Sequence, residues 1–354
     1  MRTYAIALAV ALAGAAPLVM AAPAAAQGQP AAEVVANVTA IPGVVAAGAK
    51  WKKFWEGPQV VDGMTWDTDG GVLFAQEQSN SIIKVWPNGK WWIQWPYVAG
   101  AGSVSVDAQG RVFAADRSCT DPGLYVQANP AIGYGANCTI LSRIVQIAPT
   151  RKIIADKFAT GGTLGRINDL RADGLGGAYY TQGGLFHAKV DGTVDTVAAG
   201  GNPQQGGLFT NGLELSPDGK TLYVTNRTTI VAFDVSANGD LSNRRDFATL
   251  QGEPQGSFGG DGMTVDADAR LYVTCGSGVC VFDSTGKWLG AIPTPRRAIT
   301  LTFSGPNHRT LYIGTLGANT PTGQNWVTPQ GVRNIAGTIY ALDMVATGPT
   351  RRAK

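Results

Sequence analysis

Charge is scarce in this chain: Asp, Glu, Lys and Arg make up 15% of its 354 residues, and the net charge is only +3. So small an imbalance gives no reason to expect nucleic acid or an anionic membrane as partner. Histidine is rarer still, with only His187 and His308. Because no G-x-S-x-G occurs either, Ser-His-Asp hydrolysis has no support. The four cysteines show neither C-x-x-C nor a zinc-type Cys/His spacing. Strong helix-period segments are absent, and beyond the first twenty residues no apolar run is long enough to span a bilayer.

What is present begins with the amino terminus. Arg2, the apolar stretch from Ala5 to Met20 and the small residues ending at Ala24, Ala25 and Ala26 read as a secretory signal over residues 1–26. The mature chain is therefore expected to start near Gln27, to be periplasmic or secreted, and to have no membrane association after cleavage. In an exported chain cysteines pair, and local pairing is expected: Cys275 with Cys280 across a hairpin, and Cys119 with Cys138 around one Gly/Pro-rich insertion. Abundant glycine, 47 residues, with few charges describes many short strands joined by tight turns.

A period of roughly 40 to 50 residues marks a propeller, and such a repeat is found here. Its clearest copies open at Asp62-Gly63-Met64, Asn211-Gly212-Leu213 and Asp261-Gly262-Met263, each followed by an apolar strand such as Leu271-Tyr272-Val273-Thr274. The same phase locates further copies opening at Gly102, Asn168 and Ile299. Six units of strand, turn, strand, loop, strand, turn, strand predict an all-β fold, a six-bladed β-propeller over residues 27–344. The sixth unit runs out of chain near Met344, so the segment from Trp51 to Trp55 is expected to supply its outer strand and close the ring. Residues 345–354 are expected to be a disordered tail.

The residue that opens the innermost strand of a blade faces one mouth of the central channel. Six repeats thus aim Asp62, Gly102, Asn168, Asn211, Asp261 and Ile299 at one axis. Asp-Gly and Asn-Gly pairs are common in turns, but two carboxylates and two amide oxygens in register are hard-oxygen chemistry, suited to one divalent cation. Calcium is favoured, with zinc, manganese or magnesium as options. A buried carboxylate pair would be costly without it.

Arg166-Ile167-Asn168-Asp169, Asn211-Gly212-Leu213 with Ser216-Pro217-Asp218-Gly219, and Asp261-Gly262-Met263 with Asp266 resemble the family of gluconolactonases, senescence marker protein (regucalcin) and luciferin-regenerating enzyme. The resemblance implies that Asn211 and Asp261 ligate the cation, that Asn168 ligates it or meets substrate, and that Arg166 orients substrate. It implies a lactonase acting on a small-molecule sugar lactone or related ester, with the cation polarising the carbonyl. Asp261 is then the candidate base, and Asn168 and Arg166 stabilise the oxygen that gains charge. The family's first-blade motif Glu-Gly-Pro also occurs, as Glu56-Gly57-Pro58, but six residues ahead of the repeat phase. Residue counting favours Asp62, with Glu56 as the alternate.

Two insertions, 117–139 with Tyr125 and Tyr134, and 316–336 with Trp326, are expected to overhang the site as a lid. His187 is expected to pack in a strand or at the surface, and His308 to sit in a turn. Trp91 and Trp92 are expected in an outer strand, packing rather than binding sugar. The competing readings are a non-catalytic, calcium-stabilised binding propeller, and a strictosidine-synthase-like or paraoxonase-like protein, the latter an arylesterase. No feature of the sequence bears on oligomeric state.

Overall fold

Short apolar runs punctuated by glycine turns fold here as strands that are buried on both faces, as expected where sheets stack around a ring. The computed structural model describes residues 31–117, 141–254, 257–326 and 336–354. These form six four-stranded antiparallel sheets. The innermost strands are β2 (Asp62–Trp66), β6 (Ser103–Val106), β10 (Leu170–Ala172), β14 (Leu213–Leu215), β18 (Met263–Val265) and β22 (Ala298–Ser304). Each touches its neighbour, and β22 returns to β2, so the inner strands close a ring and the chain is a six-bladed β-propeller.

Closure comes from the amino-terminal side, as the incomplete sixth repeat required. Strand β1 (Lys52–Gly57) pairs antiparallel with β24 (Gly337–Asp343), from Lys52 opposite Ala341 to Gly57 opposite Gly337. Ahead of it, Val38, Ile41, Val44 and Val45 are buried among Tyr272, Val281, Phe303 and Leu311 of blades five and six. At roughly 1.5–3 kcal/mol for each aliphatic side chain fully buried, this arm is a substantial part of the closure.

The turn joining the first two strands of a blade is fastened by the last polar residue of the repeat motif. Asp173 accepts from the amides of Leu175 and Gly177, at 2.7 and 2.9 Å, and binds His187 Nε2 at 2.8 Å. Asp266 accepts from Asp268 and Arg270, and its second oxygen accepts from the Tyr272 hydroxyl at 2.8 Å. His187 is therefore a buried partner of a turn carboxylate, and His308 sits in a turn with φ 51°, edge-on to Trp66.

One expectation about the periphery needs correcting. Residues 345–354 are not a loose tail: they lie across the channel mouth opposite Asp62. Arg352 donates to Thr65 Oγ1 at 3.1 Å and to the Trp66 carbonyl, and its guanidinium lies 4.0 Å from the Trp66 ring. Gly, Pro, Arg and Lys resemble a solvated tail until a ring of blades supplies carbonyls and an indole face for the arginine. Trp91 and Trp92 are on an outer strand as expected, β5 (Trp91–Pro96), each packed edge-on against another indole, Trp55 and Trp86, while remaining 54% and 57% exposed. An outermost strand has no sheet beyond it to pack against.

Cys275 and Cys280 are disulfide-bonded, with their Cα atoms 5.9 Å apart, around the turn joining β19 (Leu271–Cys275) to β20 (Gly278–Phe282). Cys119, Cys138, Tyr125, Tyr134 and nearly all of the first expected lid insertion lie outside the described residues, as do residues 327–335 of the second. So does the expected signal segment, residues 1–26.

Candidate functional site

The backbone at the channel mouth is pinned by the second strand of each blade. Asn211 N donates to Thr225 Oγ1 and Asp261 N to Thr274 Oγ1, both at 2.9 Å, while Asn168 N donates to the Thr181 carbonyl at 2.7 Å. Thr181, Thr225 and Thr274 occupy one phase of the repeat, so each blade presents its axial residue at the same height. Asn168 Nδ2 donates to Asn211 Oδ1 at 2.6 Å, which joins blades three and four. Each amide oxygen has two lone pairs, leaving one on Asn211 Oδ1 for another partner.

Blade two contributes no side chain at this phase, because Gly102 stands there. The space is taken by Arg117: a Cβ on Gly102 would collide with its guanidinium. Arg117 is 1% exposed in its side chain and donates to the carbonyls of Ile167 and Asn168, both at 2.6 Å, and to Asn168 Oδ1 at 3.1 Å. It lies 3.5 Å from Asp62 and is ion-paired with Glu77, which also pairs with Arg166 at 2.9 Å. Asp169 is buried and accepts from Ser103 Oγ and from the Leu170 amide.

Glu77, Arg117 and Asp169 were not singled out from the sequence. A signal existed for the first two. Glu77 follows β3 (Val72–Gln76) and Arg117 follows β7 (Val112–Asp116) at the same offset, so the residue ending the second strand is a second in-register axial position. Asp169 lay within the quoted motif without an assigned role.

The structure brings Asp62, Asn168, Asn211, Asp261 and Arg166 to this mouth. Ile299 is buried in β22 and adds no polar group. Glu56 is elsewhere: on β1, the outer strand of blade six, it accepts from Asn319 N at 2.9 Å and pairs with Lys53 at 3.0 Å. An outer strand is three strands removed from the axis.

Electrostatics set the character of the mouth. Burial first, then the charges of Asp62 and Asp169, hold the Asp261 carboxyl well above the usual carboxylate range. Burial also raises Asp62, against the pull of Arg117. Among the described residues no donor hydrogen-bonds to the Asp261 carboxylate, and no three His, Cys, Asp or Glu side chains cluster closely enough to hold a metal by themselves. Two carboxylates supplemented by amide oxygens do fit a hard divalent cation, which would match the charge that burial penalises. Beside Asp261 opens a cavity of about 540 Å³, walled by Phe258, Thr274, the 275–278 turn, Pro295 and Arg297.

Known proteins are similar to this chain at both levels. Residues 132–317 match the family described as the SMP-30/Gluconolactonase/LRE-like region. Pentonolactonase XacC of Haloferax volcanii is 32% identical over 198 residues, 52% of this chain and 64% of that protein. A gluconolactonase of Zymomonas mobilis is 23% identical over 70% of this chain and 68% of its own length. Lactonohydrolase oryH of Aspergillus oryzae is matched over only 27% of its length. Among solved structures, a gluconolactonase from Xanthomonas campestris superposes with a TM-score of 0.62 at 20% identity, over 89% of this chain and 96% of that one.

Proposed function

Because the chain belongs to the SMP-30/gluconolactonase/LRE-like family, we propose that it is an exported, metal-dependent lactonase whose reaction centre is the Asp62–Asp261 mouth of the propeller. The observation that carries this is the Asp261 carboxylate: half-buried, raised by desolvation and then by two other carboxylates, and without a hydrogen-bond donor among the described residues. That combination is costly in a protein with no use for it. Relatives named pentonolactonase and gluconolactonase support a sugar lactone as substrate, and a solved relative described as a calcium-binding regucalcin supports calcium.

Asp62, Asn211 and Asp261 would hold the cation, with Asn168 beside them. When bound, it would supply Lewis-acid polarisation of the substrate carbonyl. The rest is the work of side chains. Asp261, raised toward neutrality, is suited to take the proton from an attacking water at its free carboxylate oxygen. Asn168 and Arg166 offer N–H donors to the oxygen that gains charge, and the Glu77 pair fixes the Arg166 guanidinium. Arg117 holds the Ile167 and Asn168 carbonyls, and so orients the Asn168 side chain.

The test is hydrolysis of a lactone panel by metal-stripped protein, with calcium, zinc, manganese or magnesium restored, beside an Asn211→Ala/Asp261→Ala control. Metal-restored turnover absent from the control is expected. Metal binding that raises thermal stability without turnover of any lactone or ester would instead make the chain a binding propeller. Export is tested by fractionating cells that express the full chain: a mature species beginning near Gln27 outside the cytoplasm is expected, and a full-length cytoplasmic product would refute it.

A further inference from the structure

Cations at the catalytic mouth are nearly all engaged. Arg117 and Arg166 share Glu77. Arg296 is buried and donates to the Ala31 carbonyl, Asn325 and Asn319 at 2.6–2.8 Å. Arg227 is laid over the Phe209 ring, 4.8 Å from its centroid. Arg297 is different. It stands one residue before β22, lines the 540 Å³ cavity beside Asp261, and among the described residues its guanidinium makes no hydrogen bond, ion pair or ring contact. Only its main chain is fixed, by Leu316 N donating to its carbonyl at 3.0 Å.

A guanidinium left free at the wall of a substrate-sized cavity is a ready fork for a planar oxyanion, which it binds through two parallel N–H bonds. Its charge is felt at Asp261, whose carboxyl it pulls down against burial without contacting it. A cation bound between Asp62 and Asp261 would match those carboxylates and leave the charge of Arg297 directed at the cavity. The cavity wall also carries Phe258, 69% exposed, which can cover the apolar face of a small ring.

We propose that the cavity selects lactones bearing a second, free carboxylate, and that Arg297 is the specificity residue that binds it. This rests on the lactonase reading and narrows its substrate class to lactones of dicarboxylic sugar acids. Arg297 acts on the remote substituent, so its effect falls on the difference between a charged and a neutral substrate. Were it instead to hold the carboxylate released by ring opening, it would act on every lactone alike.

The experiment compares the metal-loaded full chain with Arg297→Gln and Arg297→Lys on two lactones that differ at one carbon: glucaro-1,4-lactone, which carries the carboxylate, and glucono-1,4-lactone, which carries a hydroxymethyl group. Calorimetric titration with glucarate, the open dicarboxylate, runs in parallel, and thermal melts check that the variants fold. The native chain is expected to prefer the carboxylated lactone at least tenfold in kcat/KM. Arg297→Gln should abolish that preference through KM and weaken glucarate binding at least tenfold, with partial recovery in Arg297→Lys. Equal losses on both lactones, or an unchanged preference, overturn the inference while leaving the lactonase reading in place. Arg297-dependent glucarate binding with neither lactone turned over keeps the anion site and removes the lactonase reading. Absence of both removes both.

Discussion

At the scale of single residues, the mouth of the channel is a place where stability has been given up. Asp261 and Asp62 are held above the ordinary carboxylate range by burial. A carboxyl whose folded pKa is raised costs the fold stability as pH rises through the unfolded value, because its charged form is underpartnered. Asp261→Asn is therefore expected to stabilise the metal-free protein by about 1–3 kcal/mol at pH 7, while abolishing turnover and the stabilisation that added calcium gives. Thermal melts with and without calcium check this; a metal-free variant less stable than the native chain would contradict it. Glu77 is the converse case. Its side chain is 3% exposed, and removing its charge takes a close carboxylate partner from the buried Arg117, whose distance to Asp62 is 3.5 Å. Glu77→Gln should cost about 3–5 kcal/mol in urea unfolding.

At the scale of elements, the blade turns depend on their carboxylates. The His187 partner and two amide donors hold the Asp173 carboxyl below its usual range. A lowered folded pKa contributes stability that is full above the unfolded value, about 3.9, and is lost as pH falls through the folded value. The stability difference between native protein and Asp173→Asn should then be constant at neutral pH and shrink below about pH 4; melts across pH 2–7, on the order of that range, would show it. The amino-terminal strand is the other critical element. Deleting residues 27–55 removes most of β1 and the apolar arm, and exposes β24 as an unpaired edge. Loss of a cooperative melt is expected, whereas a truncated chain melting like the native one would show that the ring closes without it.

At the scale of the whole molecule, the channel end opposite Asp62 is finished by a segment far in sequence from the blades that it touches. The carboxyl-terminal strap brings Arg352 beside Trp66 and the buried Arg171–Glu214 pair, whose atoms lie 2.9 Å apart. Burial pushes the Arg352 guanidinium down to about 10, so it is still charged at neutral pH. Arg352→Ala should cost about 1–3 kcal/mol through its lost cation–π contact and hydrogen bonds. Metal binding at the far mouth should be unchanged, which a calcium titration of the variant would check. A loss of calcium affinity would mean that the two ends are coupled.

Much of this could be read from the chain alone. Six copies of one strand pattern fix the number of blades and the phase of each inner strand, because a repeat that cannot bury its faces alone must stack on its neighbours. The same phase brought Asp62, Asn168, Asn211 and Asp261 to one mouth, and left Glu56 out of register. What the ring alone decided are contacts between residues far apart in sequence: Arg117 filling the space left by Gly102, Glu77 pairing with Arg166, the strap that carries Arg352, and a free Arg297 beside Asp261. Local patterns record which way a residue faces along its own strand. Which charge it meets across the axis depends on the closure of the ring, and closure is a property of the packed blades together.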